Sequence, residues 1–72
     1  MIQKNLKGFS VSFLEEAKNG FEHLAYVLSF DETCSLFDNA KMSGKIEFED
    51  RLGRNYTLLS KLNGNFEIKE RK

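Results

Sequence analysis

Residues 44–68 have the sequence GKIEFEDRLGRNYTLLSKLNGNFEI, in which apolar and polar residues alternate around two glycine-containing turns. The apolar members form three pairs, namely Ile46 and Phe48, Tyr56 and Leu58, and Phe66 and Ile68. A period of two is typical of strands that bury one face against a core. The stretch therefore predicts a three-stranded antiparallel β-meander.

The lengths of the two turns set the register of the predicted strands. Arg51-Leu52-Gly53 and Leu62-Asn63-Gly64 both place glycine third. A three-residue hairpin loop commonly ends in a left-handed residue, which glycine adopts without steric cost, and an odd loop keeps the apolar pairs on one face. We therefore expect positive φ at Gly53 and Gly64. The expected cross-strand pairs are Phe48 with Tyr56, Ile46 with Leu58, and Leu58 with Ile68.

An amphipathic helix is predicted over residues 13–29, because apolar residues recur there at spacings of three and four. Ser12 and Glu15 have the spacing of a capping box at its start. Asn19-Gly20 is a competing hairpin signal, but a strand after it would have no polar face. The apolar stripe of this helix consists of Leu14, Ala17, Phe21, Leu24 and Leu28. We expect it to cover the apolar sheet face formed by Ile46, Phe48, Leu58 and Ile68.

Two stretches have weaker patterns. Residues 31–43 contain few apolar positions, and we favour a short edge strand turning at Asp38-Asn39 over a broken helical turn. Residues 1–11 predict either a further edge strand or a loop around Gly8. The expected fold is α+β, with one amphipathic helix packed on an antiparallel β-meander of three to five strands. Its length predicts a single domain over residues 1–72.

Charge and composition exclude several classes of function. The 11 basic and 11 acidic residues balance, which argues against a dedicated nucleic-acid or anionic-membrane binder. Cys34 and His23 are the only residues of their types, so an intramolecular disulfide is excluded and a structural zinc site is not expected. The chain shows neither a long apolar run nor a signal-peptide pattern, and we expect a cytoplasmic location.

Motifs for catalysis are not found in the sequence. Nucleophile, phosphate-loop and paired-cysteine patterns do not occur, so we expect neither an enzyme nor a cofactor. Glu16, Asn19 and His23 share one side of the predicted helix, where an ordinary polar face is favoured over a metal or general-base site. The acidic residues Asp31, Glu32 and Asp38 match no calcium loop and are assigned to a cap or turn. Cys34 is expected to be a semi-buried apolar residue.

The aromatic content suggests a binding function. Seven Phe and two Tyr exceed what one helix on a small sheet easily buries, and Phe30, Phe37 and Leu59 are the predicted interface residues. We therefore expect a non-catalytic protein-binding module, a regulator, inhibitor or adaptor, that forms a homodimer through a sheet edge. A nucleic-acid-binding module is the alternative, and a small enzyme is third. The alternative depends on Lys45, Lys61, Lys69, Arg71 and Lys72 near Phe48, Tyr56 and Phe66.

Overall fold

Five strands form one mixed sheet in a computed structural model of the chain, which describes residues 1–61 and 64–71. The sheet order is β1-β2-β5-β4-β3. Neighbouring strands are antiparallel except β2 and β5, which are parallel. The α+β class is confirmed, but the antiparallel meander describes only β3, β4 and β5. The strands are β1 (Ile2–Leu6), β2 (Phe9–Phe13), β3 (Lys45–Glu49), β4 (Asn55–Ser60) and β5 (Phe66–Arg71).

The register of the last three strands agrees with the sequence prediction. The structure has Phe48 opposite Tyr56, Ile46 opposite Leu58, and Leu58 opposite Ile68. Gly53 and Gly64 have φ of 80° and 77°, as expected for the last residue of each loop. The Asp50 N–H donates to the Arg54 carbonyl at 3.0 Å and closes the loop 51–53. Leu62 and Asn63 of the second predicted loop lie outside the described residues.

The N-terminal residues form a hairpin whose second strand enters the sheet. β1 and β2 are joined by the two-residue turn Lys7-Gly8, and β2 then runs parallel to β5 with Phe13 beside Ile68. Phe13 is 1% exposed, so the residue predicted to start the helix instead ends a buried strand. The predicted capping box at Ser12 and Glu15 is wrong, because Ser12 lies in β2.

The predicted helix begins later than expected and is irregular. It consists of a 3-10 turn (Glu15–Ala17), the helix α1 (Lys18–Glu22) and a π turn (His23–Val27), and we call the whole the helical segment 15–27. Asn19-Gly20 lies inside it, so the alternative hairpin does not form. Ala17, Phe21 and Leu24 of the predicted stripe are buried, Leu28 is partly buried, and Leu14 is exposed.

The longest helix, α2 (Phe30–Ser43), replaces the edge strand predicted for residues 31–43. Ser29 caps it: its Oγ accepts from the Glu32 N–H at 3.2 Å, and the Glu32 carboxylate accepts from the Ser29 N–H at 2.9 Å. The buried residues Thr33, Phe37 and Ala40 recur at helical spacing. The strand prediction failed because the buried Thr33 is not recognised as a core position from hydropathy, while the apolar Met42 is exposed.

Both helical segments pack on one face of the sheet, where the buried side chains form one cluster. Phe37 lies at its centre, stacked on Phe9 with ring centroids 4.2 Å apart and edge-on to Phe66 at 4.5 Å. Its predicted place in an interface is therefore wrong, because it is fully buried. Among the described residues, no helix is long and apolar enough to cross a membrane.

Candidate functional site

A cleft of about 450 Å³ opens between the helical segment 15–27 and the loop that joins β3 to β4. Its two walls come from parts of the chain far apart in sequence. We call it the helix–loop cleft. It is lined by Asn19, Glu22, His23, Tyr26, Val27, Asp50, Arg51, Leu52 and Arg54.

Three exposed apolar side chains line the helix–loop cleft. Tyr26 is 80% exposed and Val27 is 43% exposed on the helical wall, while Leu52 is 76% exposed on the loop wall. Single exposed apolar residues are common on protein surfaces, but a group rimmed by polar residues marks a contact site. The convergence of these side chains from two walls distinguishes this cleft.

The π turn places Tyr26 and Val27 at the cleft. The Leu28 N–H donates to the His23 carbonyl at 3.1 Å, a bond between residues five apart, which widens the last turn of the segment. Leu28 then leaves the helix in an extended conformation. Such widened turns are frequent at functional sites.

The carboxylate of Asp50 holds the loop wall in place. It accepts hydrogen bonds from the backbone N–H groups of Leu52 and Arg54, both at 2.9 Å. It also accepts from Arg54 Nε at 2.8 Å and from the Tyr56 hydroxyl at 3.2 Å. The Asp50 side chain is only 5% exposed, so these four bonds take up its accepting capacity. Asp50 is a structural residue that fixes the position of Leu52.

These contacts shift the acidity of both side chains. Burial acts to raise the pKa of Asp50, but hydrogen bonds from Arg54 and Leu52 and the Arg54 charge outweigh it and leave the pKa lowered. Burial, reinforced by the negative charge of Asp50, raises the pKa of Tyr56. Asp50 is therefore ionised and Tyr56 is a neutral donor at neutral pH.

Tyr56 connects the two walls of the cleft. Its ring lies against Gly20 of the helical segment, where an added Cβ would come 2.7 Å from Tyr56 Cδ1. Its hydroxyl reaches Asp50 of the loop. Because Tyr56 is fully buried in the central part of the sheet, both walls are anchored to one rigid residue. The shape of the cleft is thus set before anything binds.

Only two of the three polar residues predicted to share one side of the helix, Glu16, Asn19 and His23, lie at the cleft. Asn19 and His23 line the cleft, whereas Glu16 borders a different surface depression. His23 stacks on Phe48 with ring centroids 6.4 Å apart, and its buried Nδ1 has no hydrogen-bond partner among the described residues. Within residues 1–61 and 64–71, no group of three or more His, Cys, Asp or Glu side chains is arranged to hold a metal ion.

The remaining predicted interface residues lie in different places. Phe30 is 61% exposed at the first position of α2 and does not line the helix–loop cleft. Leu59 is half-buried on the sheet face opposite the helices, between Lys45 and Glu67 of the neighbouring strands. The sequence reasoning missed Leu52, although an apolar residue in the middle of a three-residue turn is a signal of an exposed apolar side chain.

Two of the basic residues that the nucleic-acid alternative required are paired with acids. Lys61 Nζ lies 2.9 Å from Glu67 Oε1, and Arg71 Nη1 lies 3.3 Å from Glu47 Oε1. Tyr56 and Phe66, which the nucleic-acid alternative required for base stacking, are 0% and 1% exposed. Lys72 lies outside the described residues. The described part of this face therefore offers neither concentrated positive charge nor these two rings to a nucleic acid.

Comparison of the chain with protein-family models, with curated proteins and with solved structures finds no match. The helix–loop cleft is therefore the feature of the molecule that bears on its function.

Proposed function

We propose that this protein is a non-catalytic protein-binding module and that the helix–loop cleft is its contact site. The observation that carries this proposal is the convergence of Tyr26, Val27 and Leu52 on one cleft while their side chains remain exposed. A regulator, inhibitor or adaptor acts in this way, by covering part of another protein without changing it chemically.

The residue types of the cleft support a protein partner. Tyrosine and arginine are enriched among the residues that dominate binding energy at protein interfaces, and the lining contains Tyr26, Arg51 and Arg54. Full burial of an apolar side chain such as Leu52 is worth about 1.5–3 kcal/mol relative to leaving it exposed. A partner that inserts an apolar side chain between Tyr26 and Leu52 gains this energy.

The charges at the rim favour an acidic group on the partner beside the inserted side chain. The Arg54 guanidinium is held by Asp50 through Nε, whereas Arg51 lies at an exposed position in the turn. The helical wall carries the negatively charged Glu22, opposite in sign to Arg51. A partner segment with an acid near Arg51 is therefore complementary to the loop wall.

The fixed walls reduce the entropic cost of binding. Immobilising one flexible side chain on association costs about 0.5–1.5 kcal/mol, and ordering a loop adds to this cost. Asp50 and Tyr56 have already ordered the segment that presents Leu52. A cleft of this kind binds with little rearrangement of its own backbone.

Site-specific photo-cross-linking in cells tests the proposal. A photoreactive amino acid is placed at Leu52 and, as a matched control, at the exposed Lys69 of the open sheet face. We expect a discrete cross-linked protein from position 52 that is not obtained from position 69. An identical background at both positions would contradict a contact at the cleft.

Salt dependence separates this proposal from the nucleic-acid alternative. Apolar association in the cleft should persist when the salt concentration is raised, whereas phosphate contacts release counterions and weaken steeply. The cross-link at position 52 is therefore measured at low and high salt in lysate. A cross-linked species that is nucleic acid and disappears at high salt would favour the alternative.

A further inference from the structure

We propose that β3 pairs with β3 of a second copy of this chain, antiparallel across a two-fold axis that passes beside Glu47. β3 is one of the two edges of the sheet, and none of its residues lines the helix–loop cleft. The inference therefore stands or falls independently of the partner that the cleft binds.

The backbone of β3 has a defined set of groups that make no bond to β4. The Ser60 N–H donates to the Gly44 carbonyl at 2.9 Å, and the Asp50 N–H donates to the Arg54 carbonyl at 3.0 Å. Antiparallel hydrogen bonds alternate along a strand, so the even-numbered residues between these two points face β4. The N–H and C=O groups of Lys45, Glu47 and Glu49 consequently point away from the sheet. The Lys45 carbonyl also accepts from the Ser43 hydroxyl at 2.9 Å, and its second lone pair stays available to a partner strand.

One register uses all of these outward groups. If Glu47 lies opposite the partner's Glu47, then Lys45 lies opposite the partner's Glu49, and by symmetry Glu49 lies opposite the partner's Lys45. Each of these is a hydrogen-bonded pair of an antiparallel ladder. A shift of the partner by one residue would remove that match.

The side chains agree with this register on both faces of the sheet. On the open face, the ammonium of Lys45 meets the carboxylate of the partner's Glu49 at two symmetric places, and opposite charges directly across a strand pair are stabilising. On the helix face, Ile46 meets the partner's Phe48. Both residues are only partly buried and already pack against the core, so pairing extends that core across the axis.

The two glutamates at the axis are compensated within each copy. Arg71 Nη1 lies 3.3 Å from Glu47 Oε1, so each carboxylate brings its own guanidinium to the contact. Two such pairs side by side form a four-charge network. The like-charge repulsion expected for opposed carboxylates is thereby reduced.

The other edge of the sheet is less suited to self-pairing. Lys4 is the middle residue of β1, and its side chain is on the sheet face that packs against the core. A two-fold pairing centred on β1 would set Lys4 against the partner's Lys4, with no acid in β1 to compensate. The two edges therefore differ, and β3 is the edge suited to self-pairing.

Sedimentation equilibrium over a concentration series reaching the high micromolar range tests the proposal. We expect the wild-type chain to form a dimer and Glu47→Pro to remain monomeric with an unchanged circular-dichroism spectrum. The Glu47 N–H makes no bond to β4, so proline removes only the intermolecular hydrogen bond. Edge strands tolerate proline at positions whose N–H faces away from the sheet. Gln3→Pro is the matched control on β1, and it should still dimerise. A wild-type monomer throughout, or a dimer of Glu47→Pro, would overturn the proposal.

A charge exchange tests the register without a backbone change. Lys45→Glu alone opposes two carboxylates, and Glu49→Lys alone opposes two ammonium groups, so each variant should dimerise about tenfold more weakly than the wild type. An equimolar mixture of the two variants restores opposite charges at both places and should regain wild-type affinity as a heterodimer. If the mixture associates no more tightly than either variant alone, the register is wrong.

Discussion

The ring of Tyr56 lies directly beneath the backbone of Gly20, so close that a Cβ at position 20 would come 2.7 Å from Tyr56 Cδ1. The ring has no room to withdraw, because Tyr56 is fully buried and its hydroxyl is bonded to Asp50. The helical segment therefore approaches the sheet at its glycine. This contact sets the distance between the two walls of the helix–loop cleft.

We predict that Gly20→Ala destabilises the protein. Helix propensity alone favours alanine over glycine by about 1 kcal/mol. The added methyl group meets the Tyr56 ring, and overpacking of this kind costs about 1–3 kcal/mol, so the net change should be a loss. Urea denaturation of the variant and the wild type measures the difference.

Asn19→Ala is the control for that substitution, because Asn19 is the exposed neighbour in the same helix. It should leave stability unchanged or slightly raised. A Gly20→Ala variant that is more stable than the wild type would show that the helix is not held against Tyr56.

Thr33 joins α2 to the two segments that precede it, and we predict that Thr33→Val costs about 1–3 kcal/mol. Its hydroxyl donates to the Leu24 carbonyl at 3.0 Å and accepts from Lys7 Nζ at 3.1 Å, while the side chain is fully buried. Valine keeps the shape but removes the donor to the Leu24 carbonyl, while Lys7 Nζ keeps its bond to the Leu28 carbonyl at 2.8 Å. Thermal unfolding measures the loss, and Ser35→Ala on the exposed side of α2 is the control. Equal effects of the two substitutions would contradict the assigned role.

The register of β3, β4 and β5 could be predicted from sequence because its determinants are local. Alternation with a period of two and glycine at the third loop position fix which residues face each other. The helix α2 could have been found in the same way, since Ser29 and Glu32 have capping-box spacing. It was missed because its buried face includes the polar Thr33 and because the apolar Met42 of the same helix is exposed.

The position of β2 and the presence of the helix–loop cleft could not be predicted from short-range sequence patterns. Phe13 pairs with Ile2 of β1 and with Ile68 of β5, and the pairing that brings β2 into the sheet is with Ile68, which is distant in the chain. Tyr26 lies four residues after Glu22, so helical spacing alone places it on the polar face, whereas Val27 lies at the end of a π turn that no spacing in the sequence indicates. The exposed Leu52 was predictable from its turn, but the wall opposite it was not.

We predict that acid loosens the loop wall of the cleft through Asp50. The pKa of Asp50 is lowered from its ordinary value of 3.8, so the folded state favours the ionised carboxylate. Its contribution to stability is therefore complete above the unfolded-state pKa and is lost as the pH falls through the folded-state pKa. Hydrogen exchange of the Leu52 and Arg54 amides, measured by NMR from neutral pH downward, should show protection that disappears in acid.

Asp50→Asn separates this effect from other acid-sensitive groups. The pKa of Glu32 is also lowered, by its hydrogen bonds to Ser29, so the wild-type acid transition has more than one source. The variant should have weaker protection at neutral pH and a smaller further loss in acid, whereas the exposed Asp38→Asn should match the wild type. Unchanged protection of the Leu52 amide in Asp50→Asn would mean that the carboxylate does not hold the loop.

The most direct test of the binding function is the affinity of the cross-linked partner for two matched variants. Calorimetric titration compares Leu52→Asp, which changes the helix–loop cleft, with Leu59→Lys, which changes the open sheet face. Both substitutions place a charge at an apolar position outside the buried core. We expect Leu52→Asp to weaken binding at least about tenfold, because it removes an apolar anchor and introduces a charge, while Leu59→Lys retains wild-type affinity. Loss of affinity in Leu59→Lys with full affinity in Leu52→Asp would place the contact on the sheet and contradict the assignment to the cleft.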